Sequence, residues 1–181
     1  MKIRGIYTPA ITPLRQDGGI DWDGFAAILE HLAAAGVDGI VVGGTTGEYY
    51  AHSTEERLES LRRAKDIVGT RAVMVGGTGA IRTEDSIGLA TEVAGMGYDA
   101  LLVTTPPYAQ PTPRENALHA LAVDRAANLP IILYNYPGRM AAEMSEEYLD
   151  RVGRSPNFCA IKESSGDINS CLLYTSPSPR D

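Results

Sequence analysis

Six short apolar runs recur along the chain, beginning near Gly5, Gly39, Arg71, Ala100, Pro130 and Phe158. A stretch of helical spacing, about 12 to 15 residues long, separates each run from the next. The alternation predicts six rounds of strand followed by helix. Runs such as Gly39-Ile40-Val41-Val42 and Ile131-Ile132-Leu133 are apolar at every position instead of every second one. Both of their faces therefore need cover, which suits a parallel sheet wrapped by helices. Helix starts are signalled at Asp21, Thr54, Thr83, Thr112 and Ser145, each followed closely by acidic residues or proline. In the first helix, Asp21 to Ala35, helical spacing puts Phe25, Ile28, Leu29 and Leu32 on one face. Gly36, Gly69, Gly95 and Gly97 punctuate the returns to strand. A βα unit of roughly 30 residues fits a (β/α)8 TIM barrel or an open doubly wound sheet.

Length changes that picture. A closed eight-stranded barrel needs about 250 residues, and this chain of 181 supplies about six βα units. The segment from Cys171 to Asp181 departs from the repeat: a helix is due after Gly166-Asp167, and Pro177 and Pro179 argue against one. This segment also resembles the in-frame translation of a transposase adapter. The expectation is a partial barrel domain over residues 1–170 and a non-native tail over residues 171–181, the natural protein continuing beyond Ser170. Open sheet edges and an uncovered lumen further predict that the chain by itself is poorly stable and turns over no substrate.

Charge and composition then narrow the partners. A net charge of −7 and a pI near 5.0, with Lys and Arg scattered, argue against nucleic acid. No apolar stretch is long enough to span a bilayer, and a cytoplasmic location is expected. Cys159 and Cys171 make no disulfide framework, and three histidines without clustered carboxylates or thiols make no metal signature.

The candidate chemistry gathers where barrel sites gather, after the strands. Lys162 closes the apolar run Phe158-Cys159-Ala160-Ile161. A lysine there either reaches solvent or loses hydration, which disfavours the ammonium and yields an amine able to attack a ketone. Gly43-Gly44-Thr45-Thr46-Gly47-Glu48 follows the second run. It is either a plain glycine-rich turn or a carboxylate pocket of backbone N–H groups and two hydroxyls. It matches neither a Walker loop nor a dinucleotide fingerprint. After the fifth run, Tyr134 offers a phenol for proton transfer and Arg139 a guanidinium for a carboxylate. Tyr108, after the fourth run, is a second phenol or a packing or interface residue.

Taken together, Gly44-Thr45-Thr46-Gly47-Glu48, Tyr134-Asn135-Tyr136-Pro137-Gly138-Arg139 and Ile161-Lys162-Glu163 resemble the dihydrodipicolinate synthase and N-acetylneuraminate lyase family over residues 3 to 170. The resemblance implies a (β/α)8 barrel whose lysine forms a Schiff base with pyruvate or a related 2-keto acid. By it, Lys162 is the nucleophile, Tyr134 the general acid and base, and Thr45 its proton relay. Thr46 with the neighbouring backbone of Gly44 and Gly47 would hold the keto-acid carboxylate, and Arg139 a carboxylate on an aldehyde co-substrate. Tyr108 would complete the relay in a neighbouring subunit, which implies a homo-oligomer, dimer or tetramer, at full length. No metal or organic cofactor is implied. Arg139 favours a 4-hydroxy-tetrahydrodipicolinate synthase-like condensation of pyruvate with aspartate semialdehyde. Met140-Ala141, Ala51-His52, Pro107 and Ile81 depart from the pattern and leave the aldehyde acceptor and allosteric control open. The alternatives are a 2-keto-3-deoxy sugar-acid aldolase or dehydratase, which shares the lysine and tyrosine, and, from another class, a non-catalytic keto-acid-binding homologue.

Overall fold

The computed structural model describes residues 3–175. Six parallel strands form one sheet in sequential order: β1 Tyr7–Pro9, β2 Gly39–Val42, β3 Val73–Gly77, β4 Ala100–Thr104, β5 Ile131–Asn135 and β6 Phe158–Glu163. Between them run α1 Trp22–Ala34, α2 Thr54–Val68, α3 Thr83–Gly95, α4 Pro113–Ala127, α5 Pro137–Met140 and α6 Glu146–Val152, with α7 Ile168–Thr175 after β6. The sheet curls into an open half-barrel, an incomplete (β/α)8 arrangement.

Each face of the sheet has its own apolar layer. The helix side packs Ile40, Val42, Met74, Leu101, Val103, Ile131 and Leu133 against Phe25, Leu29, Leu61, Val93, Val123 and Tyr148. The concave side gathers Val41, Val75, Ala100, Leu102, Ile132 and Tyr134. A fully buried Val, Leu or Ile side chain contributes about 1.5–3 kcal/mol, so this two-sided cover accounts for the uniformly apolar runs. Gly77 allows β2 and β3 to close up at their carboxyl ends, because a Cβ there would lie 2.1 Å from the Gly43 carbonyl oxygen.

The helix starts sit within a residue of the signals. Asp21, Thr112 and Ser145 are the N-cap residues of α1, α4 and α6, each accepting a backbone N–H through its side chain. For α2 the cap is Ser53, one residue before Thr54, in a reciprocal capping box with Glu56. Arg82 precedes α3 without a side-chain cap.

Two elements depart from the sequence expectation. Residues 137–140 form a single helical turn, because Pro137 suits a first helical position. A helix does follow Gly166-Asp167: the Asp167 carboxylate accepts the Asn169 N–H at 3.0 Å and starts α7, which is described as far as Thr175. Pro177 and Pro179, on which the expectation of no helix rested, lie outside the described residues, as does the rest of the tail after Thr175.

No helix among the described residues is long and apolar enough to cross a membrane. Nor do three or more His, Cys, Asp or Glu side chains converge there as a metal site would require.

Candidate active site at the carboxyl ends of the strands

Strand register decides which side chains meet. Thr104 pairs with Tyr134, and Tyr134 pairs with Lys162, so three neighbouring strands present these residues side by side. Tyr134 belongs to the concave layer. Lys162 joins it because of an irregularity in β6. Ile131 pairs with Phe158, but Ile132 pairs with Ala160, leaving Cys159 as an extra residue whose Sγ lies 3.4 Å from the Ile131 carbonyl oxygen. Phe158 therefore packs on the helix side while Ala160 packs on the concave side. Strict alternation would have put Lys162 on the same side as Phe158. The bulge turns it inward.

Lys162 is half-buried, and its Nζ lies 4.0 Å from the centre of the Tyr134 ring. Its pKa is lowered, first by burial and then by the positive charge of Arg139. Loss of water disfavours the ammonium, and the second cation repels it. Below Nζ a cavity of about 230 Å3 is lined by Tyr7, Pro9, Val41, Leu102, Ile132 and Lys162. A larger hollow of about 620 Å3 lies along the helix side of β6, among Leu133, Leu149, Val152, Phe158 and Ile161. It is apolar packing space, and Lys162 does not line it.

Neighbouring loops brace this pair. Asn135 Nδ2 donates to Glu163 Oε2 at 2.8 Å, the Met144 N–H donates to Asn135 Oδ1 at 3.1 Å, and the Ser164 N–H donates to the Asn135 carbonyl at 2.9 Å. The first and third of these bonds fix the end of β5 to the end of β6 just after Lys162, and the second ties Met144 to the end of β5. Arg139, on α5, stacks its guanidinium 5.3 Å from the Tyr136 ring centre and is exposed. The Tyr136 hydroxyl holds its pKa above the ordinary value.

After β2 the chain forms two short 3-10 turns, Thr45–Gly47 and Tyr49–Ala51, hinged at Glu48 with φ of 55°. Gly44 and Gly47 are buried, Thr46 is exposed, and Thr45 Oγ1 is buried without a hydrogen-bond partner among the described residues. Tyr108 is not brought to this site. It stands 88% exposed after β4 with φ of +70°, a conformation unusual outside glycine.

Tyr49, Arg57 and Thr104 were not singled out from the sequence for this site. The Tyr49 ring is buried, and the Arg57 guanidinium lies 5.0 Å from its centre. Burial raises the Tyr49 pKa. The only sequence signal was two adjacent tyrosines directly after Glu48, which does not say which one turns inward.

The model of the dihydrodipicolinate synthetase family matches residues 2–176. The chain belongs to this family. A 4-hydroxy-tetrahydrodipicolinate synthase of Bacillus velezensis is 34% identical over 181 residues, which is 100% of this chain and 63% of the relative. The solved 4-hydroxy-tetrahydrodipicolinate synthase of Methylacidiphilum fumariolicum superposes with a TM-score of 0.91 at 35% identity, covering 97% of this chain and 59% of that one. The dihydrodipicolinate synthase of Acinetobacter baumannii, solved in complex with pyruvate, gives a TM-score of 0.90 at 33% identity, covering 96% and 60%. The chain thus spans about three-fifths of the length of these family members. The family is one of Schiff-base-forming lyases and aldolases.

Proposed function

We propose that Lys162 forms a Schiff base with pyruvate and that the whole protein condenses the resulting enamine with an aldehyde, as a 4-hydroxy-tetrahydrodipicolinate synthase does with aspartate semialdehyde. One observation carries the reading: a lysine with a depressed pKa sits 4.0 Å from the ring of Tyr134, in register with it on the concave face. The neutral amine attacks the keto carbon, and the Tyr134 hydroxyl protonates the carbinolamine oxygen as water leaves. The iminium then draws electrons from the adjacent carbon, so its proton is lost without a free carbanion. Thr45, with its buried and unpartnered hydroxyl, is assigned the relay of that proton. The turn after β2, through Gly44, Thr46 and Gly47, is assigned the pyruvate carboxylate, and Arg139 the carboxylate of the acceptor.

Support for the acceptor comes from the names borne by the relatives. Tyr136, stacked against Arg139, supports a second reading, because an aromatic face suits the C–H side of a sugar-acid chain. Consumption of aspartate semialdehyde, against release of pyruvate from 2-keto-3-deoxy acids, separates the two. We assign Tyr108 to an interface between copies, supported by its exposed ring on a loop that is strained at Tyr108 and Gln110. The central test is borohydride reduction with pyruvate. Stoichiometric capture reads Lys162 directly and does not require turnover. A pyruvyl mass increment on Lys162 is expected, and unmodified protein after reduction overturns the reading.

A further inference from the structure

Tyr49 packs beside Thr104, the register neighbour of Tyr134, although it belongs to none of the strands. Its ring lies against Gly79, in the loop after β3. A Cβ on Gly79 would lie 2.9 Å from Tyr49 Cζ, 3.0 Å from the Tyr49 hydroxyl and 3.0 Å from Thr104 Oγ1. Both hydroxyls thus converge on one point, which only glycine leaves open. Thr104 is 4% exposed, and its Oγ1 has no hydrogen-bond partner among the described residues. A buried hydroxyl left unsatisfied is costly, so such a group calls for an explanation. Its strand neighbour in register is Tyr134. From the other side, Arg57 clamps the ring of Tyr49 and donates to the Gly77 carbonyl at 3.4 Å. Tyr50, the next residue, is 64% exposed, so the inward turn is specific to Tyr49.

We propose that Tyr49 is a positioning residue which, through the Thr104 hydroxyl, aims a hydrogen bond at the phenolic oxygen of Tyr134. Tyr49 O–H donates to Thr104 Oγ1, and Thr104 O–H donates to Tyr134. When Tyr134 gives its proton to the carbinolamine oxygen, its own oxygen becomes negative, and a preset donor stabilises that charge. No bond is made or broken along this chain, because it supplies hydrogen bonds only. Burial keeps Tyr49 itself protonated and therefore able to donate. This places a second phenol beside Tyr134 from within the same chain, in addition to any supplied across an interface. The inference rests on the Schiff-base reading for its catalytic meaning but not for its test.

That test labels the tyrosine ζ-carbons with carbon-13 and follows the Tyr134 resonance, which responds to hydrogen bonding at the phenolic oxygen. In the full chain without substrate, Y49F and T104V are expected to displace this resonance in the same direction, and T104S to return it toward the parental position. In single-turnover borohydride capture with saturating pyruvate, Y49F and T104V are each expected to slow capture about tenfold, the value of one hydrogen bond to a charged oxygen. The double variant should be no slower than either single one. An unmoved resonance in Y49F, a T104S variant that behaves like T104V, or losses that multiply in the double variant would each overturn the proposal. Should the parental chain capture no pyruvate, the Schiff-base reading falls, while the resonance still decides whether Tyr49 and Thr104 act on Tyr134.

Discussion

β5 and β6 lie side by side with runs of similar hydrophobicity, yet all five residues of β5 are buried and all six of β6 are only half-buried. β5 has a strand on each flank, whereas β6 has one on a single flank among the described residues. Exposure therefore follows the neighbours a strand has, not its own composition. The chemistry divides the same way. Tyr134 is held in a packed layer, while Lys162 is dried from one side and reaches the cavity from the other. A general acid has to be aimed, and a lysine amine has to stay accessible to a keto acid, so the two strands suit the roles proposed for Tyr134 and Lys162.

The sharpest way to break this comparison is to remove the amine. Lys162→Arg retains a cation at the end of β6 but is expected to lose all pyruvyl increment in mass spectra after borohydride reduction. Packing supplies the next largest contrast. Leu133→Ala in β5 is expected to destabilise by about 3 kcal/mol in urea titration, and Ile161→Ala in β6 by about 1 kcal/mol, because only the first leaves a fully enclosed cavity. Equal losses would mean that β6 is as tightly packed as β5. Tyr134→Phe should slow capture about a hundredfold without reducing its end point, as expected for loss of a general acid.

A smaller effect separates the two causes of the Lys162 shift. Arg139 lowers that pKa, so Arg139→Met should raise it and leave less neutral amine at neutral pH. Capture should slow about threefold at pH 7, its rise with pH should move to higher pH, and the two proteins should converge once the amine is neutral in both. A movement to lower pH would contradict the assigned sign. Deleting Cys159 should have the smallest effect. It removes the extra residue while leaving Phe158 outward and Ala160 inward, so capture should stay within about threefold of the parent. Complete loss would show that the bulge does more than set the face.

Much of the fold could be read from the chain. Six apolar runs became six parallel strands in order, and Asp21, Thr112 and Ser145 became caps, because burial on both faces and helix capping are local demands. The helix at Ile168–Thr175 runs against the expectation because Pro177 bars a helix only from continuing through it, while Asp167 supplies a local start. In the site, Lys162 and Tyr134 were legible as chemistry at strand ends. Tyr49 and Thr104 were not, because a tyrosine in a turn and a threonine ending a strand look ordinary until a glycine in the loop after β3 brings them together.

By itself, the sequence determined the alternation of strand and helix, the apolar cover on both faces of the sheet, and the residue types available at the strand ends. Only the tertiary structure decided which face Lys162 occupies. Side chains alternate with a period of two, so one extra residue at Cys159 reverses the face of all that follows, and nothing in Phe158-Cys159-Ala160-Ile161-Lys162 marks where the extra residue falls. That choice was made by the pairing of β6 against β5, where the apolar packing of Phe158 and Ile161 on one side and Ala160 on the other outweighs regular pleating.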